Sequence, residues 1–432
     1  MNPTPVPAAK PTQAKKPRDL RLDFFRGLGM FIIFIAHVPM NDWKLWIPAR
    51  FGFSDATEQF VFCSGMASAI AFGAVYRYRS FWLGTARVAY RCWQVYWAHI
   101  AMFMVIVAML AAFDTIPLGT GVHYTERLFV LPFLDDTLNH MVALMTLSYV
   151  PNYFDILPMY LVLLALMPIV VPIGMIDRRA AIAFVVGVWF LAQENLWLTL
   201  FGFSPGLEFS AEVRTDAERE WFFNPFGWII VFYFGFFWMI GWLPRPPVKA
   251  WLIGLAVGVL LFNLLIGSRF GLIWGDAAIA AGWTNVNYAS VAFQWLVDVG
   301  LIGKTDQGIL RFAHFLALAY LCWIAAGENG RYLQGGGVWG LFVTVVRKVG
   351  QQSLAIFLTG MVLSQFVGAM LDFTDRTTLD KAVANLGGFL FLIATAYVVA
   401  WFKSEPWRKP PAASAGATRE ASGSGAAVAA RS

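Results

Sequence analysis

Arg26 and His37 lie eleven residues apart in an otherwise apolar stretch, RLDFFRGLGMFIIFIAHVPM. Ionisable groups are costly to bury in such a segment, which makes both candidates for function. At about 100° per residue, this spacing returns a helix to within roughly 20° of the same face, about 16 Å farther along. One helix face then carries a fixed cation near one end and an imidazole deeper in. That pair suits an anionic ligand held at one end and proton transfer at the other. Asp23, three residues before Arg26, is placed to orient it. A structural alternative stands beside each: Arg26 snorkels to the interface with Asp23 as its ion-pair partner, and His37 packs against a neighbouring helix.

Other clusters follow the same logic. Arg87 and Arg91 are four apart and share a helix face, where two like charges repel unless an anion or acidic group lies between them. They are candidates for holding phosphates, or simply mark the membrane interface. Ser54, Asp55 and Glu58 precede the next apolar segment. Asp55 and Glu58 would face the same way on a helix, to orient His37 or bond a sugar; helix capping is the alternative. Arg311 and His314 also share a face. The loop 201–225 is acidic and ends in aromatic residues, Trp221, Phe222 and Phe223 among them, which suits a sugar platform or a plain solvated surface.

These residues must be positioned by membrane-spanning helices. The chain has 432 residues, 59% hydrophobic and only 13% charged, with mean hydropathy +0.61; a soluble domain carries about 25% charged residues. Hydropathy places about ten spans, at 22–42, 56–76, 88–113, 155–175, 180–200, 226–243, 250–267, 309–326, 347–371 and 382–402. The stretches 137–148 and 286–303 read as half-membrane or interfacial helices. Residues 1–20 form a Pro-rich basic tail and 404–432 an Ala/Ser/Gly-rich one, both expected to be disordered around a transmembrane domain at 21–403. No small-residue cleavage site separates the first tail from the first span, so no cleavable signal peptide is expected.

Basic residues concentrate on the side of the two tails, in Arg77/Arg79/Arg87/Arg91, Arg178/Arg179, Arg245/Lys249 and Arg331/Arg347/Lys348. The positive-inside rule then puts both termini in the cytoplasm. It also explains the net charge of +6 without nucleic acid. Cys63, Cys92 and Cys322 lack metal or redox spacing, so neither a disulfide nor a zinc site is expected. There is no P-loop, dinucleotide fingerprint, metal-binding helix motif or fixed-period repeat. ATP-driven transport has no support.

The first segment, with a basic residue, ten intervening residues and then His, resembles the first helix of the membrane acyltransferase-3 superfamily. Ser64-Gly65 in FVFCSGMASAIAFG and the pair Arg87/Arg91 are similar to further marks of that superfamily. Five separated blocks resemble its OpgC branch, named for succinylation of osmoregulated periplasmic glucans. They are FGFSDATEQFVFCSG, NYFDILPMYLVLL, WFFNPFGWIIVF, LRFAHFLALAYL and GQQSLAIFLTG. The likeness covers most of residues 18–402.

The resemblance implies an all-α polytopic protein of the bacterial inner membrane that moves an acyl group from cytoplasmic acyl-CoA, expected to be succinyl-CoA, to a hydroxyl of a periplasmic glucan. In this reading His37 is the general base, Arg26 its supporting or donor-positioning cation, and Asp23 orients Arg26. Arg87 and Arg91 bind the donor. Asp55, Glu58, Arg311 and His314 are candidates for the acceptor side, with Arg311 offering a cation to a succinyl carboxylate. Acyl-CoA is a co-substrate, with no permanently bound cofactor or metal. The expected partners are the bilayer and a polysaccharide, with a second copy of the chain left open. Two other functions stand beside this one: O-acetyl transfer to another envelope polysaccharide, and secondary transport of a glycan or organic anion.

Overall fold

A backbone surrounded by apolar side chains must satisfy its polar groups internally, and helices do so within one segment. The computed structural model describes residues 19–116, 121–151, 153–214, 217–267 and 269–408. It is helical almost throughout. The exception is an antiparallel hairpin, Ser210–Arg214 paired with Ala217–Glu220. This hairpin lies within a polar connection, where the backbone pairs with itself, and the architecture is the expected all-α one. The tails assigned to 1–20 and 404–432 lie outside the described residues except at 19–20 and 404–408.

Each expected span has a helical counterpart, but the lengths differ. Among the described residues, four helices are long and apolar enough to cross a membrane: Ala56–Tyr78, Phe81–Thr115, Ser353–Leu371 and Thr378–Lys403. Three helix pairs qualify only as bent units, giving up to seven. One of these, Ile156–Ala165 with Met167–Ile176, turns by 41° just before Pro168, which cannot continue the hydrogen-bond ladder. Pro225–Ile240 and Ile309–Ala325 are apolar but shorter. The segment expected to span 347–371 is broken at Gln352, separating Gly337–Gln351 from Ser353–Leu371. The polar run Gln351-Gln352-Ser353 sits at the break and serves the first helix, as described below.

Glycine sets the closest helix contacts. A Cβ on Gly27 would lie 1.9 Å from the Val346 carbonyl oxygen, so the Leu20–His37 helix meets Gly337–Gln351 backbone to backbone. Gly65 makes the same approach to the Phe232 carbonyl, again at 1.9 Å, joining the second helix to Pro225–Ile240. Small residues let membrane helices pack where no hydrophobic force separates protein from lipid. Around these contacts one large apolar core includes Phe34, Phe103, Phe154, Trp228, Tyr233 and Phe236, all buried.

Candidate active site

His37 is the last residue of the first helix. Its Nδ1 lies 2.7 Å from the Ile33 carbonyl oxygen. A carbonyl only accepts, so Nδ1 carries the proton and donates it. In the neutral ring, Nε2 is then the nitrogen with a free lone pair. Tyr153 meets the imidazole edge-on at 5.1 Å between ring centroids. The Tyr153 hydroxyl donates to the Met361 carbonyl at 2.6 Å and lies 2.8 Å from Ser364 Oγ. Burial raises the phenol well above its usual pKa, so it stays protonated. Tyr153 also has φ of 101°, a costly backbone conformation for a bulky residue and a frequent mark of functional sites.

His37 lines a cavity of about 520 Å³. Tyr153 and Met361 form part of its wall, and Phe222 and Phe223 bring aromatic faces. Its charged lining consists of Lys44, Arg50, Asp55 and Lys304. The first two come from the short helical turns Asp42–Trp46 and Pro48–Arg50 that follow the first helix. Asn41 pins this connection by donating to Asn385 Oδ1 at 2.8 Å.

Asp55 caps the second helix. Its Oδ1 accepts from the Thr57 amide at 2.7 Å, while Glu58 accepts from the Asp55 amide at 2.8 Å, completing a capping box. The same carboxylates gather cations. Asp55 Oδ2 is 2.6 Å from Lys304 Nζ and 3.1 Å from Arg311 Nη2, and Glu58 pairs with Arg311 Nε. Burial opposes the Asp55 charge, but Lys304 and Arg311 outweigh it and hold the carboxyl well below the usual carboxylate range. Glu58 is completely buried and Arg311 nearly so. The two carboxylates and Arg311 thus form a structural ion network at the cavity edge, and Lys304 joins it from the cavity side.

His314 is held differently from His37. The Ser54 amide donates to its Nδ1 at 3.2 Å, and Ser54 Oγ lies 2.7 Å from the same nitrogen. Its accepting nitrogen is therefore occupied by Ser54, and its Nε2 side packs on Gly52, where a Cβ would fall 2.3 Å away. His314 does not line the His37 cavity.

Arg26 does not line the cavity of about 520 Å³ that His37 lines. Arg26 Nη2 bonds Ser353 Oγ at the start of the Ser353–Leu371 helix. The buried Asp23 accepts from Gln351 Nε2 at 3.2 Å. Both anchor the first helix at the break between Gly337–Gln351 and Ser353–Leu371. Arg87 and Arg91 lie on the Phe81–Thr115 helix; Arg87 faces the Phe72 ring at 5.9 Å and Arg91 donates to Gln94 at 3.2 Å. Neither lines the His37 cavity.

A second, largely apolar cavity of about 190 Å³ follows the first helix from Arg21 to Ile32. Ile32 and Asp55 belong to both linings, so the two spaces adjoin beneath His37. Arg21 closes the far end, with its guanidinium 3.3 Å from the Trp323 ring centroid and paired with Asp19 at 2.7 Å. Sequence reasoning missed Tyr153, Lys304, Lys44 and Arg50. Tyr153 lay within a matching block, but nothing local distinguished the three cations from ordinary loop charges.

In comparison with known proteins, the family model described as "OpgC protein" matches residues 18–404. No curated protein and no solved structure matches the chain.

Proposed function

The chain belongs to the OpgC family over residues 18–404, and from that premise we propose that it is a membrane O-acyltransferase of the acyltransferase-3 kind. It passes an acyl group, succinyl in our reading, from cytoplasmic acyl-CoA to a hydroxyl of a periplasmic glucan. About ten crossings with both termini inside would put Arg21 at the cytoplasmic end of the first helix and His37 toward the periplasm.

The observation that carries this reading is the state of His37. Its Nδ1–H is committed to Ile33, which leaves Nε2 as a base on a residue that lines a cavity. The acceptor hydroxyl gives its proton to Nε2 as its oxygen attacks the thioester carbonyl. The C–O bond forms, the C–S bond breaks, and the departing CoA sulfur takes the proton back from His37. Ester and free CoA are the products, and the imidazole ends neutral. Tyr153 holds the ring edge-on, and Phe222 and Phe223 offer stacking surfaces to a sugar.

The apolar space from Arg21 to Ile32 supports a donor arm that reaches His37 from the cytoplasmic side, between helices. Arg87 and Arg91 are the candidates for the donor phosphates, outside that space. Arg26 and Asp23 support the reaction by fixing the helix that ends in His37. Mass spectrometry of periplasmic glucans from cells with and without the protein tests the proposal. An added succinyl mass that depends on the protein is expected, and unchanged glucan masses would contradict it.

A further inference from the structure

The His37 cavity is lined by three cationic side chains, Lys44, Arg50 and Lys304, and a single carboxylate, Asp55. That carboxylate is already shared between Lys304 and Arg311. Among the described residues, no Asp or Glu oxygen comes within 4.0 Å of the charged nitrogens of Lys44 or Arg50. The lining therefore carries excess positive charge beside the proposed base. Proton abstraction from a neutral hydroxyl gives no reason for this excess, and the oxyanion that develops at the thioester carbonyl accounts for one adjacent donor, not for three cations. Nor does the cytoplasmic bias in basic residues, because these cations sit at the His37 end of the first helix.

The backbones that carry Lys304 and Lys44 are also held in place. Lys304 is fixed through its backbone, whose carbonyl accepts from Trp228 Nε1 at 2.9 Å. The next residues are tied down as well, with Asn224 donating to Asp306 Oδ1 at 2.9 Å and Trp189 to the Gln307 carbonyl at 3.0 Å. The Lys304 head lies 5.8 and 5.5 Å from the centroids of Phe222 and Phe223. The turn that carries Lys44 is pinned at Asn41 and through the Asp42–Lys381 ion pair. Like charges on the lining of one partly enclosed space favour an anionic guest, because each cation gains a charge-assisted bond and loses repulsion.

Resting on the acyl-transfer reading, we infer that Lys44, Arg50 and Lys304 are specificity-determining residues that bind an anionic group next to His37. The chemistry they select is a carboxylate or similar anion. Two sources present it: the far end of a dicarboxylic acyl chain on the donor, and an anionic substituent on the glucan. In the first case the cavity grips the free carboxylate while the thioester carbonyl lies within reach of the acceptor. An acyl group of equal length without the carboxylate leaves the cations unmatched. Charged hydrogen bonds of this kind correspond to about 10–10²-fold in discrimination.

The test uses the full-length protein in proteoliposomes with succinyl-CoA and butyryl-CoA, whose acyl chains have the same carbon count and differ in the terminal carboxylate. The readout is the ratio of kcat/KM for the two donors on a neutral glucan. The wild type is expected to favour succinyl-CoA, and the double variant Lys44→Gln/Arg50→Gln to lower that ratio by about 10–10²-fold. A second arm holds the donor fixed and compares neutral with anionic glucans. A ratio that falls only there assigns the cations to the acceptor's anion and still supports anion recognition. Variants that slow every donor and acceptor pair equally would overturn the inference while leaving acyl transfer standing. A wild type that transfers nothing from either donor would overturn the acyl-transfer reading and this inference with it. Lys304→Gln is kept out of the decisive set, because it also strips a partner from Asp55 and endangers folding.

Discussion

At the scale of single residues, the two imidazoles show how one chemical group takes two roles. His37 and His314 both lie near the same end of the protein, yet one bonds a carbonyl through Nδ1 and the other accepts an amide proton there. Only the first keeps an accepting nitrogen. The sequence exposed both as polar groups in apolar segments, but a tautomer depends on which partner arrives, and Ser54 comes from a different segment. Capping by Ser54 or Asp55 was legible as an alternative reading, whereas the part of Glu58 in the capping box was not. The second partners of Asp55 and Glu58, Lys304 and Arg311, arrive from the far half of the chain and were not legible either. Asp55 gives a pH prediction with a definite sign. Its folded pKa is depressed, so its contribution to stability is fully present above its unfolded value of 3.8 and is lost as pH falls below that. Asp55→Asn should therefore lower thermal stability in detergent at neutral pH, with a gap to wild type that closes only in acid below about pH 4. A gap that closes already near pH 6 would contradict the assignment of Asp55 as the depressed group.

At the scale of elements, the site depends on how the first helix is seated. Asp23 and Arg26 meet Gln351 and Ser353 at a helix break, and Gly27, next to Arg26 and one turn after Asp23, sits against the Val346 carbonyl. The stretch 347–371 looked continuous because the apolar residues after Ser353 outweigh the short polar run Gly350-Gln351-Gln352-Ser353, where the break lies. At the break, Gln351 and Ser353 supply partners to the polar groups of the first helix, a tertiary pairing that a hydropathy window does not contain. This seating predicts that Gly27→Val pushes the first helix off Gly337–Gln351 and removes most of the folded protein. Fluorescence-detected size exclusion of tagged variants measures it. The surface change Gly187→Val, where a Cβ meets nothing within 4 Å, serves as the control. Equal monodisperse yield for both would show that the helix contact is looser than the geometry implies.

At the scale of the whole molecule, composition and hydropathy settled early that the chain is a membrane protein, because too few charges remain to cover a soluble surface of this size. The number of crossings was less legible. Bent pairs and short helices such as Ile309–Ala325 meet the requirement for burial without meeting a simple length rule. The candidate site was half legible. His37 stood out in an apolar segment, while the cations of its cavity came from loops whose charges look like any other. The molecule places a short apolar space and a larger charged one end to end along the first helix, with His37 lining the larger and Ile32 and Asp55 shared between them. In the proposed reaction, that arrangement lets a donor from one face meet an acceptor from the other without moving the acyl group through open lipid. The most direct test is transfer of isotope-labelled acyl from acyl-CoA to glucan by purified full-length protein in proteoliposomes, comparing wild type with His37→Ala. The account predicts labelled glucan from wild type and a rate lower by about 10²–10⁴-fold in the variant, with the two proteins equally folded by size exclusion. Transfer by His37→Ala at the wild-type rate would contradict it.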